Sequence, residues 1–208
     1  MRVTKFPQSC LRLEKDDGGR LLVDPGTPAL STHDVADIGP AEAVLYTHRH
    51  PDHLDLGGLE RLLEQGAQAY GNADVVAAAG DLPVQRIDDG DAVTIAGYTV
   101  HARDLEHMPM VDGSAGPPNT GFMFDGMLFH PGDGLDLPGL RADVLALPIA
   151  GPSASMRDAY EFLARVGARE AIPIHYDVFP AHPEVFARWC DLAEVRVLAD
   201  GETAELRR

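Results

Sequence analysis

Six consecutive residues, His48-Arg49-His50-Pro51-Asp52-His53, gather the side chains in this sequence best suited to hold metal and do chemistry. Imidazole and carboxylate at this density suit borderline divalent cations such as zinc, manganese or iron. Alternate side chains of an extended segment point the same way, so His48 and His50 can converge on one ion. Asp52 and His53 lie on the turn beyond and can face a second. Two cations sharing a hydroxide bring its pKa toward neutrality and polarise a carbonyl or phosphoryl oxygen, which is metal-assisted hydrolysis. Asp52 has two roles open to it, as a ligand alone or as a ligand that also takes the nucleophile's proton. Arg49 either steers an anion or points away into solvent or an ion pair.

The elements that must position this loop are short. Ala43 to Thr47 reads as a buried strand that delivers the chain into His48, and Leu56 to Gln65 as a helix with Leu56, Leu59 and Leu63 on one stripe. The candidate ligands thus sit on a strand-to-helix loop, where exposed chemistry usually lies. Upstream, Ser9 to Leu13 and Arg20 to Val23 read as a hairpin around Asp16-Asp17-Gly18-Gly19, and Asp24-Pro25-Gly26 as a turn. Downstream strands are expected at Gln68 to Tyr70, Ala92 to Ile95, Tyr98 to Arg103, Gly121 to Phe124, Met127 to Phe129, Val144 to Leu147, Ala171 to Pro173 and Glu194 to Leu198. Asp125-Gly126 marks a tight hairpin. Helices are expected at Ala73 to Ala79, Ser155 to Val166 and Pro183 to Leu192, the second with Met156, Tyr160, Leu163 and Val166 on its core face. Strands and helices in both halves, with no linker between, predict one domain over 1–208 with helices packed outside two sheets.

Bulk composition narrows the function by exclusion. The 208 residues are 45% apolar, enough for a substantial core, and carry a formal charge of −16. Such acidity repels phosphate backbones and anionic membranes, so neither a nucleic acid nor a membrane is an expected partner. Cations in a site could still draw in a small anion at short range. Cys10 and Cys190 stand far apart and are expected to be free thiols. No long apolar run follows Met1-Arg2-Val3-Thr4-Lys5, so a cytoplasmic setting is expected. Oligomeric state has no signature in the sequence.

The segment Thr47-His48-Arg49-His50-Pro51-Asp52-His53-Leu54-Asp55 resembles the His-x-His-x-Asp-His hallmark of the metallo-β-lactamase superfamily. The resemblance covers most of the chain. Leu22-Val23-Asp24-Pro25-Gly26 is similar to the superfamily's early strand and turn, Phe129-His130-Pro131-Gly132-Asp133 to the strand ending in a bridging aspartate, and Ile172-Pro173-Ile174-His175-Tyr176 to the last ligand strand. The nearest branch is a compact one that includes ascorbate-6-phosphate lactonase-like hydrolases. It implies an α+β fold, a four-layer αββα sandwich. It further implies one ion on His48, His50 and a third histidine, another on Asp52, His53 and His175, and Asp133 between them. For the third histidine, His107 in Leu105-Glu106-His107-Met108-Pro109 is favoured over His101, which strand alternation places on a sheet face. His130 is expected to be structural or supporting, His33 and His182 to lie at the surface, and Tyr176 to pack rather than to donate a proton.

The resemblance implies a hydrolase of an ester, lactone, amide or phosphodiester in a small molecule, using two divalent ions, zinc first, with manganese or iron also suited. Iron-dependent oxidoreductases share the fold, but their flavin-partnered branch has Glu where His50 stands. A metal-bound binding protein without turnover is the third class. Secreted β-lactamases and RNA-processing enzymes are disfavoured by the sequence's start, its lack of an added substrate-binding arm and its acidity. Loops at Ala115 to Asn119 and Ala150 to Ser155 are expected to shape specificity.

Overall fold

A computed structural model describes residues 1–207. Strands β1 (Arg2–Lys5), β2 (Leu11–Glu14) and β3 (Arg20–Val23) pair antiparallel, and β4 (Ala43–Tyr46), β5 (Gln68–Gly71) and β6 (Val84–Arg86) extend the sheet in parallel. Strand β14 (Thr203–Glu205) closes its other edge against β1, giving the order β14-β1-β2-β3-β4-β5-β6. The second sheet begins with the antiparallel strands β7 (Ala92–Ile95), β8 (Tyr98–Asp104), β9 (Thr120–Phe124) and β10 (Leu128–His130). It continues in parallel through β11 (Val144–Pro148), β12 (Glu170–Ile174) and β13 (Glu194–Val195).

Inward-facing residues of both sheets meet in a central core that includes Val3, Leu13, Leu21, Leu45, Tyr98, Phe122, Phe124, Val144 and Ile172. Helices α1 (Thr27–Thr32), α2 (Val35–Ile38), α3 (Leu56–Glu64) and α4 (Ala73–Ala79) cover the outer face of the first sheet around Leu22, Val44 and Tyr46. Helices α5 (Met156–Val166) and α6 (Pro183–Trp189) cover the second around Phe129, Leu145 and Leu147. The result is an α+β sandwich of four layers, αββα, as the resemblance implies. Each aromatic or aliphatic side chain buried between the layers contributes about 1.5–3 kcal/mol. Parallel strands buried on both faces need continuous apolar runs, and β4, β11 and β12 are buried at every position.

Caps and turns set the ends. Asp55 caps α3 by accepting from Gly58 N at 2.7 Å, and Ser155 and Asp158 form a reciprocal capping box on α5. Asp125 and Gly126 both take positive φ, 52° and 64°, as a two-residue hairpin requires.

The stripe expected on α3 is shifted. Leu56 is 48% exposed, and Gly58, Leu59 and Leu62 are the buried residues. Capping at Asp55 places Leu56 in the first turn, beyond the sheet. On α5 the buried face is Ala159, Phe162, Leu163 and Val166, with Met156 and Tyr160 only flanking it. Strand β1 has no apolar alternation because its Lys5 is buried, lying over the Tyr176 ring at 4.5 Å and near Asp177 at 3.5 Å. Helices α1 and α2 and strands β6 and β14 are too short for periodicity to reveal, and α6 and β13 end before the expected Leu192 and Leu198.

Candidate metal centre

Strand β4 of the first sheet and strands β10 and β12 of the second each lead, at their C-terminal ends, into candidate ligands. Beyond β4 come His48, His50, Asp52 and His53; beyond β10, Asp133; beyond β12, His175. His107 arrives from the second sheet, held by a bridge to Gly134 on the Asp133 turn.

These side chains form two adjoining groups, His48, His50, His107 and Asp133 in one and Asp52, His53 and His175 in the other. In the first, His48 Nε2 lies 3.2 Å from His50 Nδ1, and His107 Nε2 lies 3.3 Å from Asp133 Oδ2. In the second, His175 Nε2 lies 3.3 Å from Asp52 Oδ2. Asp133 joins them, since its Oδ1 is 3.0 Å from His53 Nε2 and its Oδ2 is 3.1 Å from His175 Nε2. Yet among the described residues His53 Nε2, His107 Nε2, His175 Nε2 and Asp133 Oδ1 are buried without a hydrogen-bond partner. Buried polar atoms left so cost about 1–3 kcal/mol each. Lone pairs that approach closely without hydrogen-bond geometry suit a cation between them, so these donors fit metal ions.

The opposite ring nitrogens are all engaged except that of His50. His53 Nδ1 donates to Asp24 Oδ2 at 2.7 Å, His175 Nδ1 to the Ala150 carbonyl at 2.8 Å and His107 Nδ1 to the Met108 carbonyl at 2.5 Å. His48 Nδ1 lies 3.1 Å from Thr47 Oγ1, which itself donates to Asp24 Oδ2 at 2.7 Å. Such partners fix the tautomer and turn Nε2 toward the centre. Asp24 is fully buried and also accepts Thr47 N at 2.8 Å. In the sequence, Asp24-Pro25-Gly26 reads only as a turn and Asn119 only as part of a loop. Asn119 Oδ1 nevertheless accepts Asp133 N at 3.2 Å, and its Nδ2 donates to the Pro131 carbonyl at 2.9 Å.

The electrostatics of the metal-free chain divide the ligands. Burial, reinforced by the His53 ring, pushes the His48 imidazole well below its ordinary value. Burial and His107 lower His50. Burial also disfavours charge on His53 and His175, but the Asp133 carboxylate outweighs it, raising His53 well above the usual range and His175 to about 9. Burial would raise Asp133 and Asp52, yet His53 and His175 hold both below the usual carboxylate range. Protons on His53 and His175 thus balance carboxylates where cations would do so.

The remaining expected residues fall outside the cluster. His101 is exposed on β8 and lines a surface groove with Lys15 and Asp125. His130 is buried, with Nε2 2.9 Å from the Ser9 carbonyl and Nδ1 accepting Gly132 N at 3.2 Å. His33 meets Asp200 at 2.8 Å and is only half-buried, and His182 is exposed at the start of α6. Arg49 is exposed and pairs with Asp74 at 2.9 Å. The Tyr176 hydroxyl donates to the Leu198 carbonyl at 3.4 Å, away from the cluster. Cys10 and Cys190 are free. Both expected loops border the centre: residues 113–119 line a cleft of about 680 Å³ that includes His107. Ala150 and Ala154 line a smaller one with Phe179, whose ring stacks on His175 at 5.6 Å.

A four-layer sandwich with this donor cluster at the ends of its parallel strands defines a class. A family model described as the beta-lactamase superfamily domain matches residues 2–175, and the chain belongs to the metallo-β-lactamase superfamily. Protein Rv0786c of Mycobacterium tuberculosis is 35% identical to this chain over 188 residues, covering 84% of each. A UPF0173 metal-dependent hydrolase of Alkaliphilus metalliredigens is 28% identical over 202 residues, covering 86% of this chain and 88% of its own. Igni18, a metallo hydrolase of Ignicoccus hospitalis, shares the fold with a TM-score of 0.80 over 99% of both chains, at 24% identity.

Proposed function

We propose that the protein is a dinuclear metal-dependent hydrolase acting on an ester, lactone, amide or phosphodiester of a small molecule. The observation that carries this reading is the convergence of two donor groups around Asp133 with four buried donor atoms unsatisfied. His48, His50 and His107 would hold one divalent cation, Asp52, His53 and His175 a second, and Asp133 would face both. Zinc matches the donors best, with manganese or iron also suited. When bound, the pair would supply hydroxide near neutral pH and polarise the oxygen of the scissile group.

The chain's own residues do the rest. Asp52 is 20% exposed at its side chain, whereas Asp133 is 2% exposed, so Asp52 is the carboxylate that solvent and substrate can reach. Its Oδ2 faces His175, and its Oδ1, without a hydrogen-bond partner among the described residues, is placed to take a proton from the attacking water. The cleft of about 680 Å³ beside His107 has room for a small molecule, and the −16 charge opposes polyanions. Among the described residues no helix is long and apolar enough to cross a membrane.

Elemental analysis of the purified protein, followed by an ester, lactone, amide and phosphodiester panel with each reconstituted metal, tests the reading. About two ions per chain are expected, and His50→Ala should lower turnover by on the order of 100-fold or more. Fewer than one ion after reconstitution, or an unaffected His50→Ala, defeats it. Turnover only with iron, consuming oxygen, would assign the protein to the oxidoreductases instead.

A further inference from the structure

The turn between β1 and β2, Phe6-Pro7-Gln8-Ser9-Cys10, contacts both the His48 to His53 loop and the segment at His175. Gln8 is completely buried and holds φ at 63°, a conformation that a non-glycine residue keeps only where its surroundings enforce it. Those surroundings are dense. The Gln8 carbonyl accepts His175 N at 3.0 Å, and Gln8 N donates to Asp177 Oδ2 at 2.5 Å. The buried Lys5 in turn lies 3.5 Å from Asp177 Oδ2.

The side chain spans the remaining gap. Gln8 Oε1 accepts two backbone donors, Asp177 N at 3.2 Å and Val178 N at 3.0 Å. Gln8 Nε2 donates to Asp52 Oδ2 at 2.9 Å. The amide can sit only one way round: two N–H groups demand an oxygen at one end, and a carboxylate demands a donor at the other. The donor meets the same Asp52 oxygen that lies 3.3 Å from His175 Nε2 and 3.8 Å from His53 Nε2.

We propose that Gln8 is a positioning residue for Asp52. Its amide holds Oδ2 in the group that would receive the second ion, keeps Oδ1 free, and ties that orientation to the segment following His175. A partly exposed carboxylate on a loop otherwise has freedom to rotate, and ordering it on binding would cost conformational entropy. This rests on the two-ion reading above.

The test is stepwise addition of Co²⁺ to metal-free protein at pH 8, followed by visible absorption and competing chelator, for wild type, Gln8→Met and Gln8→Glu. Glutamate keeps both acceptor contacts to residues 177 and 178 but replaces the donor to Asp52 with a carboxylate oxygen that repels it, whereas methionine removes the donor without adding charge. Both variants should bind the first equivalent as wild type does and the second about 10–100-fold more weakly, with an altered second-step spectrum. Gln8→Met adds no charge, so weakening of the second step shared by both variants reports the lost donor. A second equivalent bound by Gln8→Glu with wild-type affinity and spectrum overturns the inference while leaving the two-ion reading intact. Failure of the wild type itself to take two equivalents overturns both. If Gln8→Met does not fold, Gln8→Glu decides.

Discussion

Asp24 illustrates how much of a metal site lies outside its ligands. One of its oxygens receives both His53 Nδ1 and Thr47 Oγ1 at 2.7 Å, and the other receives Thr47 N. On the proposed two-ion reading, Asp24→Asn should weaken the ion held by His53 by about 10–100-fold and the other by less, readable by chelator competition. Equal loss at both sites would show instead that the whole loop had moved. His175 sets a pH dependence. Its imidazole is raised to about 9 in the folded metal-free chain against an ordinary value of 6.5, so the folded state binds the proton more tightly. That contribution to stability is complete below pH 6.5 and is lost as pH rises through about 9. Denaturant melts of chelated protein should accordingly show a decline in stability across that window. In the same window metal affinity should rise, by up to about tenfold per pH unit for each proton displaced.

The elements matter through how closely they approach. A Cβ on Gly26 would fall 2.1 Å from the backbone of Asp52, so the Asp24-Pro25-Gly26 turn and the ligand loop can touch only because Gly26 has none. Both obstructing groups are main chain, and Gly26→Ala should cost about 1–3 kcal/mol in thermal or denaturant unfolding. It should also disturb the second ion, since Asp52 must shift. Gly132 carries a double constraint, with φ at 58° and a Cβ position 2.1 Å from Asn119 Oδ1. Its turn sets Asp133 between the two groups. Backbone strain recurs at the centre, with positive φ at Gln8, Asp24 and His175, each beside or within the ligand set.

At the scale of the molecule, the sandwich is a rigid frame whose rim collects distant residues. Its centre buries Asp24 and Asp133 completely or nearly so, with Asp52 half-buried beside them. Divalent cations would offset that charge, so their removal should destabilise the whole chain. Metal present at about 1,000 times its dissociation constant adds about 4 kcal/mol per ion, and chelation should lower the melting temperature accordingly. An unchanged melting temperature would mean that the centre holds no tightly bound ion. The inter-sheet core provides the independent part of stability. Phe122→Ala, at a fully buried position between the sheets, should cost about 3–5 kcal/mol with metal or without it.

Local chemistry and local pattern were legible in the amino-acid order. The His48 to His53 run declares donors, apolar β4 and β12 declare buried strands, and Asp125-Gly126 declares its hairpin, because each depends on neighbours within a few residues. The same reasoning reached His107, Asp133 and His175 only through resemblance, since nothing in their own spacing brings them together. It passed over Gln8, Asp24 and Asn119, whose polar groups look like ordinary turn residues until burial leaves them one set of partners. Lys5 hides strand β1 for the converse reason, as a cation buried by contacts from residues more than 170 positions away. Distances between strand ends, and the direction in which each imidazole turns, are products of the packed sheets. No stretch of chain encodes them alone, because a side chain's orientation here is fixed by hydrogen bonds that exist only once both sheets have closed on one another.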